Sequence, residues 1–383
     1  MKRLLPFLVV FLGIYLYIES QELPPESFYT IEELCQTKGY QTQRHSLTTL
    51  DGYIISVFRV FKDSPKGKPV LMMHGLSGSA TNFVMNPNRK GPAFELVDAG
   101  YDVWLGNGRG NVYSRNHTYL DTSSVEFWNW TAADIGSIDI PTTVSYIKNV
   151  TSHQKVAYVG HSQGGALMLL ALAVNHPVEK DISVAVSLAG PGPKNSCKSR
   201  MLNFYTSSAY ISVLEFLGVL VTMEKPSVFY AKTLQAFPTY THYLAWDRYD
   251  FTIHSDKPHY AYLTLQFPGG ISVKSLRYVS QFFNNDNSKV KAFDYGEQRN
   301  LQIYGSKDPP VPDYSKIKTK VALFGGKYDR IILPADIEYL YNITNKDSVV
   351  HYRVDYEEDH GGFTFSSNMD YLEDLLKVLE KHS

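Results

Sequence analysis

A chain of 383 residues with 37 Lys plus Arg against 38 Asp plus Glu is nearly neutral, and no run of like charges stands out. That balance excludes the basic stripe expected of a nucleic-acid binder, while the length suffices for one large α/β domain with an insertion. Aromatic residues reach 14%, with 28 Tyr and 20 Phe, a surplus that suits a core and also a pocket handling apolar ligands.

Residues 1–20 read as a secretory signal: Lys2 and Arg3 open it, Leu4 to Ile18 is mainly apolar, and Ser20 is a small residue at the cleavage point. An uncleaved anchor is the alternative, but about 15 residues is short for a bilayer span. A secreted or lysosomal destination is therefore expected, and Lys381-His382-Ser383 is not a retention signal. Four sequons, at Asn116, Asn129, Asn149 and Asn342, are glycosylation candidates. Asn129, set among Phe127, Trp128 and Trp130, is the one expected to be buried. The only cysteines, Cys35 and Cys197, either pair in an oxidising compartment or remain buried thiols.

Along residues 21–190 an alternating segment, Tyr53 to Val60, follows the turn Asp51-Gly52 and predicts a strand. Pro69–Met73, Tyr101–Leu105, Val156–Val159 and Ile182–Leu188 are short apolar runs of the kind buried on both faces of a sheet. Helical patterns at 91–99, 134–147 and after Ser162 separate them. Such alternation predicts an α/β fold with a mostly parallel sheet flanked by helices. Residues 191–310 break the rhythm. They are aromatic-rich and irregular, with one apolar helical stretch from Ala209 to Met223, and read as an inserted helical cap or lid. Beyond the linker Pro309-Pro310-Val311-Pro312, residues 311–383 complete the core with strands at Val321–Phe324 and Val349–Val354 and helices from Pro334 to Tyr341 and from Met369 to Leu379.

Gly160-His161-Ser162-Gln163-Gly164 lies between a predicted strand and a small-residue helix. That is the context in which a serine on a sharp turn is presented above a sheet as a nucleophile. A serine hydroxyl needs a base within reach and a carboxylate to orient that base. Asp329 and His360 each follow a predicted strand, in the order Ser, acid, His. Gly361-Gly362 leave room for the imidazole to swing. Among the rivals, Asp336 falls at a helix start, where a solvated carboxylate is ordinary. His351 lies on a strand, and His242, His254 and His259 lie in the cap. The backbone amides of Gln163, next to the nucleophile, and Leu76, in the loop after the third strand, are the expected oxyanion donors.

Several stretches resemble the acid lipase family of the gastric and lysosomal lipases. They are His74-Gly75-Leu76 with Ser79-Ala80-Thr81-Asn82, Ala99 to Asn107, Arg109-Gly110-Asn111, Ser124 to Trp128, and Tyr158 to Gly164. The resemblance covers roughly residues 29 to 375. It implies an α/β-hydrolase core under a helical cap and lid, with hydrolysis of triacylglycerols or cholesteryl esters without a metal or cofactor. It places the nucleophile on Ser162 and the oxyanion donors on Leu76 and Gln163. The later motifs depart: Tyr328 is interposed before Asp329, and Gly361-Gly362-Phe363 stands where the family has Leu-Asp-Phe after its histidine. The family's cap cysteines are absent. Arg109 is expected to pair with a buried carboxylate rather than touch substrate. The expected partners are a lipid ester substrate and a lipid droplet or membrane interface met through the cap, with no nucleic acid and a monomeric chain. Two other readings share the scaffold: a hydrolase or acyltransferase for wax, retinyl or short-chain esters, and a non-catalytic lipid-binding protein.

Overall fold

The computed structural model describes residues 5–87, 89–193, 196–239, 260–283 and 291–383; His242, His254 and His259 lie outside them. Among the described residues ten strands run in chain order as β1 (Gln41–Thr48), β2 (Ile54–Phe61), β3 (Pro69–Met73), β4 (Asp102–Gly106), β5 (Val156–His161), β6 (Ile182–Leu188), β7 (Val221–Thr222), β8 (Ile271–Ser272), β9 (Lys320–Gly326) and β10 (Val349–Tyr356). Eight of them form one sheet, in the order β1-β2-β4-β3-β5-β6-β9-β10, while β7 and β8 pair separately. From β4 to β10 every neighbour is parallel; β1 and β2 are antiparallel additions at one edge. The architecture is an α/β-hydrolase fold.

Each central strand sends alternate residues to opposite faces, as strand geometry requires. Val70 and Met72 of β3, Val103 and Leu105 of β4, and Val184, Val186 and Leu188 of β6 join one buried cluster. Leu71, Met73, Trp104 and Ala185 of the same strands join a second cluster on the other face. Helices Pro92–Asp98, Ile140–Thr151, Gln163–Ala173, Pro334–Ile343 and Leu372–His382 cover these faces. The chain leaves the sheet after β6 and returns at β9, and described residues between them, Leu202, Met223 and Phe267 among them, stand over the loop that follows β5.

Four local features add to the sequence reading, decide between its alternatives or correct it. β1 has no apolar run to announce it, because it is a mostly exposed edge strand of sequence Gln-Thr-Gln-Arg-His-Ser-Leu-Thr. The apolar stretch 209–223 is not one helix: Ser208–Phe216 ends at Leu217, Gly218 turns the chain at φ +70°, and Val221–Thr222 pairs with β8. Asn129 is exposed, with its side-chain oxygen accepting from Lys274 at 2.8 Å, because the aromatic rings on either side turn inward without it. No disulfide joins Cys35 and Cys197. Cys35 is buried on the helix Ile31–Thr37, in a cluster with Tyr40 and Phe94, whereas Cys197 belongs to the stretch beside Arg330. The two cysteines thus belong to opposite ends of the sheet, and burial pushes the Cys35 thiol far above its ordinary range.

Candidate active site

β5 is bracketed by β3 and β6, and Ser162 follows it at φ 52°, ψ −122°. That backbone is strained for a residue with a side chain. It persists because its neighbours leave no alternative. The Ser162 amide donates to the Leu188 carbonyl at 2.8 Å, and its carbonyl accepts from Ala166 at 3.1 Å. The glycines let helix and sheet close on the turn: a Cβ on Gly164 would stand 2.4 Å from the Met73 carbonyl oxygen, and one on Gly160 would stand 2.4 Å from the Gly164 backbone. The serine is therefore driven outward above the sheet.

Three side chains from three loops meet there. His360 Nε2 lies 2.9 Å from Ser162 Oγ, and His360 Nδ1 lies 2.8 Å from Asp329 Oδ2. A carboxylate can only accept, so Nδ1 carries the proton and Nε2 faces the serine as a base. Asp329 is itself fixed, because its Oδ1 accepts the amides of Ile331 at 2.8 Å and Ile332 at 2.7 Å. The interposed Tyr328 is absorbed by a turn in which the Asp329 amide donates to the Gly326 carbonyl at 3.2 Å. Its ring projects toward solvent beside Lys327. Gly361-Gly362 open the one-turn helix Gly362–Phe365, and the Gly362 amide is tied to Asp359 Oδ1 at 2.8 Å. The pair anchors the histidine turn rather than giving the imidazole room to swing.

Leu76 and Gln163 border the pocket above Ser162. Gln163 is the first residue of its helix, where an amide has no intrahelical acceptor. Around them the walls are largely apolar, with Leu167, Leu170, Met223, Phe267, Tyr278 and Phe282 among them.

The rivals are placed elsewhere. Asp336 is not solvated but fully buried, because it accepts the Ser196 amide and hydroxyl, each at 2.9 Å, where the inserted segment leaves the core. His351 stacks on Phe324 and bonds the Tyr356 hydroxyl at 2.8 Å. Arg109 pairs with buried Asp139 and with Asp51. Two further histidines, which sequence pattern alone does not mark as functional, stand beside the site. His161 donates from Nε2 to the His360 carbonyl at 2.9 Å. His74 donates from Nδ1 to Gly75 and accepts from the Gly108 amide and Asn111 on Nε2. Burial pushes His74 down to about 4 and His161 down to about 3, so both are neutral braces. Their adjacency to Gly75 and Ser162 was the available signal. Among the described residues, no group of three or more His, Cys, Asp or Glu could hold a metal ion.

Residues 68–360 match the alpha/beta hydrolase fold family, and residues 31–87 match the partial alpha/beta-hydrolase lipase region. The chain is 30% identical to gastric triacylglycerol lipase of Rattus norvegicus, over 82% of each chain. It is 28% identical to lipase member K of Mus musculus, over 95% of this chain and 94% of that one. Among solved structures, a Sulfolobus solfataricus protein described as a lipase superposes with a TM-score of 0.60 at 18% identity, over 90% of this chain and 95% of that one. Fold and relatives define a carboxylic-ester hydrolase of the serine type. The chain belongs to the acid lipase family of the α/β hydrolases.

Proposed function

We propose that this protein hydrolyses lipid esters such as triacylglycerols or cholesteryl esters through an acyl-enzyme on Ser162. The observation that carries the reading is the hydrogen-bonded chain from Ser162 through His360 to Asp329, opening into an apolar pocket. The Ser162 oxygen attacks the acyl carbonyl while His360 Nε2 takes its proton. The Leu76 and Gln163 amides receive the oxyanion. His360 then returns the proton to the departing alcohol, and water, activated by the same imidazole, releases the acid. Asp329 holds the imidazole in the required tautomer throughout.

The cap meets the lipid surface. Phe216, Leu217 and Val213, at the end of Ser208–Phe216, are 89%, 67% and 55% exposed, an apolar tip suited to an interface. The chain is secreted or lysosomal after cleavage behind Ser20, and acts as a monomer. Exposure of Asn116, Asn129, Asn149 and Asn342 supports glycosylation at these sequons.

A panel of esters varied in acyl length and alcohol, assayed from acid to neutral pH with Ser162→Ala as control, tests the reading. Emulsified long-chain esters should be cleaved and the control should be inactive. Turnover confined to short soluble esters would overturn the lipid assignment. Polar substitution of Phe216 and Leu217 should weaken action on emulsions and spare a soluble ester.

A further inference from the structure

Beneath the turn that carries His360 lies a carboxyl group with no part in the proton relay. Glu358 is 0% exposed, and among the described residues no cation pairs with its carboxyl, which has only the Ser366 hydroxyl and the Met369 amide beside it, neither in good hydrogen-bond geometry. Its backbone joins both loops of the site. The Glu358 amide donates to the Tyr356 carbonyl at 2.7 Å, and its carbonyl accepts from Tyr328 at 3.1 Å, one residue before Asp329. The carboxyl fills the space over Gly362, where a Cβ would stand 2.2 Å from Glu358 Oε2; a Cβ on Gly326 would stand 2.4 Å from the Glu358 carbonyl oxygen. Where the family sequence has an aspartate after its histidine, this chain has Gly362 and inserts a glutamic acid from four residues earlier.

A buried carboxyl without a cationic partner is tolerated as the neutral acid and costly as the anion. Burial, then the nearby charges of Asp359 and Asp370, push Glu358 up to about 8, and the Ser366 hydroxyl and Met369 amide only partly oppose them. The other groups facing this corner offer no relief. Tyr371 donates to the Phe363 carbonyl, and Tyr356 donates to Asp374. Asp370 Oδ2 accepts the Glu357 amide. Arg89 is engaged by Glu95 and the Asn368 carbonyl, and Lys327 by Glu357.

We propose that Glu358 is a positioning residue for His360: as a neutral acid it packs the 358–362 turn against the Asp329 loop, and on losing its proton it loosens that turn and parts His360 from Ser162. This rests on the catalytic reading of Ser162, His360 and Asp329. The alkaline limit of activity then belongs to Glu358. The folded chain keeps this proton up to about pH 8, whereas an unfolded glutamate releases it near its ordinary value of about 4.5. Stability therefore falls as pH rises between those values and is steady outside them.

Glu358→Gln keeps the shape and removes the titration. The experiment is the rate at which a fluorophosphonate labels Ser162 between pH 5 and 10, with the adduct mapped by mass spectrometry, alongside Tm between pH 4 and 9. In the parent protein labelling should fall above about pH 8, approaching tenfold per pH unit; in E358Q the limb should move up by at least one unit. The Tm of E358Q relative to the parent should climb from pH 4.5 to 8. An unchanged alkaline limb, or a Tm difference indifferent to pH, overturns the proposal even with Ser162 labelled. An adduct on another serine overturns the catalytic reading instead.

Discussion

The nucleophile and its two partners are held by different kinds of structure. Ser162 is clamped by backbone: a positive φ, the carbonyl of Leu188, and glycines so close to β3 and to one another that no side chain fits. Asp329 and His360 stand on loops braced by side chains and amides, with Asp329 receiving two amides and the His360 turn tied through Asp359, His161 and the wedge of Glu358. Backbone clamps leave few sequences that satisfy them, whereas side-chain braces can be exchanged. The departures from the family pattern accordingly fall on the second side.

Substitutions can probe that contrast. Ser162→Ala should cost the most, about a million-fold in kcat as in other serine hydrolases; esterase assays with retained Tm would isolate the chemistry. Asp329→Asn should lose about ten-thousand-fold, because the imidazole can adopt the wrong tautomer. Asp336→Asn, assayed in parallel, should leave kcat within a few-fold and lower stability by about 1.5–3 kcal/mol through weakened charged hydrogen bonds. A reversal of that order would reassign the acid.

On the clamped side, Gly164→Ala should destabilise by about 3 kcal/mol or prevent folding, since its methyl meets backbone that cannot yield; thermal melts check this. Buried His74 titrates at about 4 in the fold and near 6.5 when unfolded. Its contribution to stability is therefore complete above about pH 6.5 and is lost toward pH 4, about 3 kcal/mol in all. A folded His74→Asn variant should show a correspondingly flatter acid limb in denaturant titrations. Tyr328→Ala should do least, within about 0.5 kcal/mol and twofold in kcat, because the extra residue points outward.

What could be read from the sequence follows the same division. The strands of β3 and β6, the helix after Ser162 and the elbow itself are written in contiguous apolar runs and small residues, because burial on both faces dictates each position. β1 could not be read, since an exposed edge needs only hydrogen bonding from its neighbour. Asp336 reads as solvated in the sequence, because the partner that buries it, Ser196, lies 140 residues away in the chain. Glu358 gave no signal at all; its meaning depends on the side chain that Gly362 lacks. Local pattern reveals backbone demands, while long-range exchange between side chains appears only once the chain is folded.

The separation of Ser162 from His360 by 198 residues also has a consequence for synthesis. The chain is extended past β6 by about 130 residues before β9 emerges to pair with it, which at ribosomal rates takes on the order of 10 s. During that interval the edge of β6 lacks its partner and is open to mispairing. His360 arrives after β10, so the nascent protein carries its nucleophile with no base to activate it. An unfinished hydrolase is thereby a harmless one.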